Sequence, residues 1–156
     1  AGKPVLNVAV LGPMVSMGHH RSAADKTIVA IGNNAVREKL MLQLTSAGFV
    51  HATVIHPRAI VSPSAVLSEG SAVMAGAIVG TEATLRGRYR QLRGGVDHHS
   101  TVEDSGHLDV NARMAGGSML GRSAWILAGS ALGYWLPVAA DEVLPLGKAR
   151  EMSRPS

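Results

Sequence analysis

The chain has no cysteine among its 156 residues, so disulfides, thiolate metal ligands and a cysteine nucleophile are all excluded. Aromatic rings are scarce: two Trp, two Tyr and one Phe make up 3% of the residues. A core built on ring packing is therefore ruled out. Charged residues are only 17% of the chain and mean hydropathy is +0.17, which argues against disorder. No apolar run reaches the roughly 18 to 20 residues of a membrane span. Residues 1–11 hold one Lys and no signal-peptide core, so a soluble, cytoplasmic protein is expected. What the chain has instead is aliphatic residues and glycine, the latter numbering 18. Fifteen basic and 11 acidic residues give a net charge of +4, which suits an anionic partner. Nucleic acid is not expected, because the basic cluster Arg86, Arg88, Tyr89, Arg90 and Arg93 reads as a solvated turn.

A repeat of six residues runs through two thirds of the chain. Stepping by six from Ile55 meets Val61, Leu67, Val73, Val79 and Leu85, then Gln91, which breaks the pattern. After a slip of one residue the series resumes at Val96 and passes through Val102, Leu108, Met114, Leu120, Ile126, Leu132 and Val138 to Leu144. Four places after most of these stands a small residue, among them Ala59, Ala65, Ser71, Ala77, Ala83, Ser100, Gly106, Ala112, Ser118, Ala124 and Ser130. Neither a helix near 3.6 residues per turn nor an alternating strand produces this spacing. A triangular coil does, with one short strand on each side and three hexads per turn. The aliphatic side chain points inward and the small residue fits a tight corner, each coil burying its faces against its neighbours. About fifteen hexads make about five coils.

This hexad resembles that of the left-handed parallel β-helix acyltransferases, whose coils are an exception to the right-handed crossover rule. The resemblance implies a homotrimer with active sites in the clefts between neighbouring helices. The fold class expected is mainly β: a left-handed β-helix over residues 51–147, preceded by a truncated α/β (Rossmann-like) domain over residues 1–50 and followed by a polar tail, 148–156.

In the first fifty residues, Thr27 to Asn34 reads as a buried strand ending in a tight turn. Ala35 to Ala47 has a helical rhythm carried by Val36, Leu40 and Leu44, stopped by Gly48. Leu6, Val8, Val10 and Leu11 suggest one more short strand. The Ala30-Ile31-Gly32-Asn33-Asn34 turn, followed by Arg37 and the hexads, is similar to the PglD/NeuD group of sugar acyltransferases. That resemblance implies an N-terminal domain that binds a nucleotide-sugar acceptor. It assigns Gly32 and Asn33 to the acceptor. The group's opening strand and Gly-rich loop have no counterpart here, so the chain is expected to begin partway through that domain.

Histidine is the side chain that titrates near neutrality, and there are seven. His19, His20, His51 and His56 precede or open the repeat and receive no chemical role. Asp97-His98-His99-Ser100 follows Val96 directly, so His98 stands where a side chain leaves a flat face. The resemblance makes His98 the general base, taking a proton from an acceptor amine or hydroxyl as it attacks the acetyl-CoA thioester. His99 stands where the family often has an acid, which leaves Asp97 to orient the base. His99 is kept as a further catalytic candidate. One coil on, Gly116 lies beside His98 and its unobstructed N–H would meet the oxyanion. By resemblance Gly116, Gly117, His107 and Ala128 contact acetyl-CoA, the co-substrate. No metal is expected.

The segment from Arg86 to Gly94 departs from the repeat most. Tyr89 falls where a small residue belongs and Gln91 where an aliphatic one does. Around Leu136 and Glu142 the small-residue pattern fails again, which reads as the end of the helix. Two other readings stand beside acetyl transfer to a nucleotide sugar. One is a non-catalytic or ligand-binding β-helix trimer. The other is a γ-carbonic-anhydrase-like zinc enzyme, although the spacing of His98, His99 and His107 does not resemble that family's.

Overall fold

The computed structural model describes residues 2–24, 26–86 and 91–152. The N-terminal part opens with an antiparallel pair, β1 (Gly2–Val5) and β2 (Val8–Val10), followed by a 3-10 helix over Met14–Ala23. β3 (Lys26–Thr27) and β4 (Val50–His51) then pair in parallel, joined by helix α1 (Asn34–Ser46). The strand expected over Thr27–Asn34 is thus much shorter, and residues 28–33 run without regular structure. Asn33 caps α1 by accepting from the Val36 N–H at 3.0 Å. At the other end Gly48 takes φ +82° while the Phe49 N–H bonds the Leu44 carbonyl, which stops the helix. The buried face of α1 carries Arg37, Met41 and Leu44, whereas Val36 is 45% exposed. The helix is therefore rotated from the face its apolar rhythm indicated, because Arg37 is drawn onto the β-helix.

The β-helix starts with β5 (Val54–Ile55), β6 (Ile60–Val61) and β7 (Val66–Leu67). The second coil is β8 (Ala72–Val73), β9 (Ile78–Val79) and β10 (Thr84–Leu85). The third is β11 (Gln91–Leu92), β12 (Gly95–Val96) and β13 (Thr101–Val102). The fourth is β14 (His107–Leu108), β15 (Arg113–Met114) and β16 (Met119–Leu120). The fifth is β17 (Trp125–Ile126), β18 (Ala131–Leu132) and β19 (Pro137–Val138). β20 (Val143–Leu144) and β21 (Ala149–Arg150) begin another turn. Every third strand stacks in parallel, giving three sheets, one to each side of a triangular coil.

The second residue of each strand points inward. From Val73 to Leu144 these side chains are 4% exposed or less, so each contributes the roughly 1.5–3 kcal/mol of a fully buried aliphatic group. The corners are set by backbone geometry. Glu82, His99, Ser105, Asn111, Gly117, Ser123, Gly129, Trp135, Asp141 and Gly147 all have φ between +55° and +68°. For a non-glycine residue this conformation costs about 1–2 kcal/mol. The return is a bond to the coil below, as when the Ser123 N–H reaches the Asp104 carbonyl at 2.8 Å.

The break in the repeat is smaller than the sequence implies. Leu92, not Gln91, is the inward residue, 0% exposed and in register with Val73 below and Leu108 above. The extra residue before it is compensated after it, where only Arg93 and Gly94 separate β11 from β12. So short a corner presses the backbone onto the next coil. A Cβ on Gly94 would lie 2.0 Å from the Ala112 carbonyl oxygen. Tyr89 lies outside the described residues. At the other end the coil does not fray at Leu136 or Glu142. β21 pairs with β18, and Arg150 bonds the Glu142 carboxylate, which lowers the pKa of Glu142 and raises that of Arg150.

A comparison of two glycines tests the shortened corner. Gly94→Ala meets backbone and is expected to cost at least about 3 kcal/mol, the upper range for overpacking. Gly129→Ala meets nothing within 4 Å and has only its positive φ to bear, so about 1–2 kcal/mol is expected. Denaturant unfolding of both variants gives the order directly.

Candidate active site

His98 leaves the coil at the corner between β12 and β13. Its imidazole lies flat against Gly116, one coil above. A Cβ on that glycine would sit 2.3 Å from the ring Cε1 and 2.4 Å from Nε2. Glycine is needed here to seat the ring. The Gly116 carbonyl accepts from the Trp135 N–H at 3.2 Å, while its own N–H has no hydrogen-bond partner among the described residues. The expected pairing of a basic ring with an open amide is present.

The orienting group is not the expected one. The Asp97 carboxylate accepts from the His98 backbone N–H at 2.7 Å, closing a local turn, and this is its hydrogen bond at the corner. The ring of His98 turns instead to His99, with 3.0 Å between the two Nδ1 atoms and the rings edge to face. His99 Nε2 in turn stands 2.9 Å from Glu82 Oε2. Sequence reasoning missed Glu82. The signal available was its place one coil below His99, hidden by the one-residue slip between them.

Gly117 is covered by the Trp135 indole, since a Cβ there would come within 2.1 Å of Cε3. Trp135 is itself 66% exposed, so the site has an open aromatic surface two coils above His99. A cavity of about 670 Å³ runs along the adjoining face, lined by Asp97, Met114, Ala115, Ala131, Tyr134 and Met152 among others. Ala128 stands at the other edge of this face, in the corner between β17 and β18, and does not line the cavity.

His107 is elsewhere. It sits on the β14 face, 3% exposed, stacked on Trp125 with ring centroids 4.7 Å apart. Its Nδ1–H donates to the Gly32 carbonyl at 3.2 Å, and Nε2 is buried with no hydrogen-bond partner among the described residues. Gly32 therefore meets His107, not His98, while the Asn33 side chain caps α1. Arg37 completes this junction. It is 2% exposed and donates to the carbonyls of Ile31 (2.9 Å), Gly32 (3.0 Å) and Ser105 (3.1 Å) and to Asn34 Oδ1 (2.7 Å). Burial lowers its pKa to about 10. The Asn34 amide adds a bond to the Ser123 carbonyl at 2.9 Å. Among the described residues no three His, Asp or Glu side chains gather as a metal site, and no helix is long and apolar enough to cross a membrane.

Burial, then the nearby Arg37 cation, push the pKa of His107 down from 6.5 to about 4. Between those values the unfolded chain binds a proton that the folded chain does not. Stability is therefore full above about pH 6.5 and falls as pH drops toward 4, by about 3 kcal/mol on this account. Urea unfolding across this range is expected to show the loss, and His107→Gln to flatten it.

No profile of a known protein family matches the chain. A curated relative, the UDP-N-acetylbacillosamine N-acetyltransferase of Bacillus subtilis, is 48% identical over 48 residues, which is 31% of this chain and 22% of that protein. The perosamine N-acetyltransferase of Caulobacter crescentus has been solved with CoA and GDP-perosamine. A histidine-to-asparagine variant of it superposes with a TM-score of 0.90 at 30% identity, covering 96% of this chain and 72% of that one. Another structure, of PerB from the same organism with CoA and GDP-perosamine, gives 0.89 at 32% identity over 94% of this chain and 72% of that one. The acetyltransferase domain of PglB from Neisseria gonorrhoeae, solved with acetyl coenzyme A, gives 0.71 at 25% identity, covering 88% and 78%. Likeness of this extent, over nearly the whole chain and on top of the hexad coil, establishes that the chain belongs to the PglD/NeuD-like sugar acetyltransferases of the hexapeptide-repeat family, built on a left-handed β-helix.

Proposed function

We propose that the protein transfers an acetyl group from acetyl-CoA to an amino group of a nucleotide-activated sugar, with His98 as general base. The observation that carries this reading is the imidazole of His98 lying on Gly116, whose N–H is left open beside it. The names of the relatives favour nitrogen over oxygen as the acceptor atom.

His98 Nε2 takes a proton from the sugar amine as that nitrogen attacks the thioester carbonyl. The Gly116 N–H donates to the carbonyl oxygen as it gains charge, an interaction that strengthens in the transition state. When the tetrahedral adduct collapses, the carbon–sulfur bond breaks and His98 returns the proton to the CoA sulfur. Gly117 and the adjoining cavity of about 670 Å³ suit the CoA arm, since pockets of a few hundred to about a thousand Å³ are usual for such ligands. Arg113, at the edge of that cavity, is placed for a CoA phosphate. Gly32 and Asn33 are assigned to the acceptor sugar nucleotide.

His98 and His107 stand on different sides of successive coils. A cleft shared between neighbouring copies would bring such sides together, which is the reason for proposing a homotrimer, with Ala128 turned to CoA bound between subunits and His107, covered by Trp125 and Gly32, lying behind that face. Both substrates carry phosphates and do not cross a bilayer unaided, and a cytoplasmic location is proposed for the protein that uses them.

Two measurements test this. Protein mixed with acetyl-CoA and GDP-perosamine, or a UDP-linked amino sugar, is expected to release free CoA. His98→Ala is expected to lower kcat/KM by about 10² to 10⁴. Equal turnover by the variant would remove the assignment. Sedimentation equilibrium is expected to give about three times the 16.2 kDa of one chain, and a monomer would overturn the shared cleft.

A further inference from the structure

We infer that Glu82 and His99 are positioning residues that fix the tautomer of His98, so that the acid serving this site comes from the preceding coil. The inference deepens the function just proposed and rests on His98 being its base.

Counting hydrogens along the chain of side chains fixes the tautomer. An ionised carboxylate only accepts, so Glu82 Oε2, 2.9 Å from His99 Nε2, places a hydrogen on that nitrogen. A neutral His99 then carries its lone pair on Nδ1. The two Nδ1 atoms are 3.0 Å apart, and only one hydrogen fits between them. It must belong to His98. His98 is left with its lone pair on Nε2, the ring atom beside Gly116. The same chain serves the charged state. When Nε2 takes the acceptor's proton, the imidazolium Nδ1–H points at a nitrogen whose partner is anionic. The chain also defines its own inactive form. A proton added to the resting pair is held on Nε2 of His98 and blocks the base.

The fold explains why these side chains meet. Glu82 and His99 occupy the same corner position in successive coils, with φ +55° and +57°. The His99 N–H bonds the Thr81 carbonyl at 2.9 Å, so the two corners are tied and their side chains leave side by side. Asp97 is the other charged group at this corner, and its carboxylate is held by the His98 backbone N–H. The side chains of His99 and Glu82 are 54% and 61% exposed, so their contact adds little to stability. That separates a positioning role from a structural one.

Nitrogen NMR of labelled imidazoles reads the tautomer whether or not the protein is active. His98 is expected to carry its hydrogen on Nδ1 in the wild type, and to revert to the Nε2–H form preferred by free histidine in Glu82→Ala and His99→Ala. Both variants are expected to keep their melting temperature and KM for acetyl-CoA while kcat falls by roughly tenfold or more, the base being present but misdirected. The acid limb of the pH–rate profile is expected to shift with them. His99→Glu, which offers a carboxylate directly to His98 Nδ1, is expected to restore kcat, and adding Glu82→Ala to it is expected to change nothing further. Nε2–H on His98 in the wild type would overturn the relay even if acetyl transfer is confirmed. Wild-type kcat in both Glu82→Ala and His99→Ala, in an assay that His98→Ala fails, would do the same. If His98→Ala turns over normally, the base assignment falls and the relay with it.

Discussion

A corner that must adopt positive φ once in every six residues is the constraint on which this molecule depends. A side only two residues long cannot turn through the angle of a triangle with ordinary extended backbone. At most of the turns one residue takes the left-handed conformation, and its N–H reaches down to the coil below, as at Gly117, Gly129 and Asp141. Because that bond recurs at the same place in each coil, corners stack on corners and the inward side chains form continuous columns. The near absence of rings follows. The interior of a side holds one aliphatic group per hexad and the corner beside it holds Ala, Ser or Gly, so there is no room for a ring. Trp125, Tyr134 and Trp135 all lie outside the coil.

The same constraint makes the site. Side chains at corners project from an edge of the prism, where they are free of the packed interior yet fixed along the axis. The column of Glu82, His99, Gly117 and Trp135, with His98 and Gly116 next to it, is one such edge. Two glycines in that column are accounted for by what lies on them, the His98 imidazole on Gly116 and the indole on Gly117. Reactive groups are brought together by translation along the axis, without a loop to carry them. A rigid scaffold of this kind would hold the proposed base and oxyanion donor in fixed geometry before any substrate arrives, which is where electrostatic catalysis gains most.

Much of this was legible in the sequence because it is periodic. Leu108, Ile126 and Leu144 announce their column, and the eighteen residues from His98 to Gly116 announce their contact. What was not legible arises where the period is broken or another part of the chain intervenes. Leu92 was concealed because an added residue before it and missing ones after it nearly cancel, leaving an apparent slip of one. Glu82 was concealed for the same reason, since the slip displaces it from the count that finds Gly116. Asp97 was assigned to the imidazole by resemblance, with His99 standing where the family often has its acid, yet an Asp next to a turn satisfies the nearest backbone N–H first. On α1 the apolar rhythm pointed to Val36, whereas the buried face is chosen by Arg37. A periodic pattern cannot report a polar residue that is buried because oxygen atoms await it.

Those oxygen atoms explain how the N-terminal part is held. Arg37 crosses from α1 to the β-helix and spends its donors on carbonyls of the 31–32 turn, the Asn34 amide and the Ser105 carbonyl of a corner. A buried guanidinium among carbonyl dipoles is specific, because a lysine in its place could not reach both sides in one planar fork. Its charge also reaches His107, which is kept neutral by burial and by this cation together. A neutral His107 can donate from Nδ1 to Gly32 and still stack on Trp125, whereas a protonated ring would face Arg37 with like charge. The turn that carries Gly32 and Asn33 is therefore pinned to the β-helix by one cation and one uncharged imidazole. The position of this turn relative to the coils is thus decided by polar groups that the hexad rule does not contain.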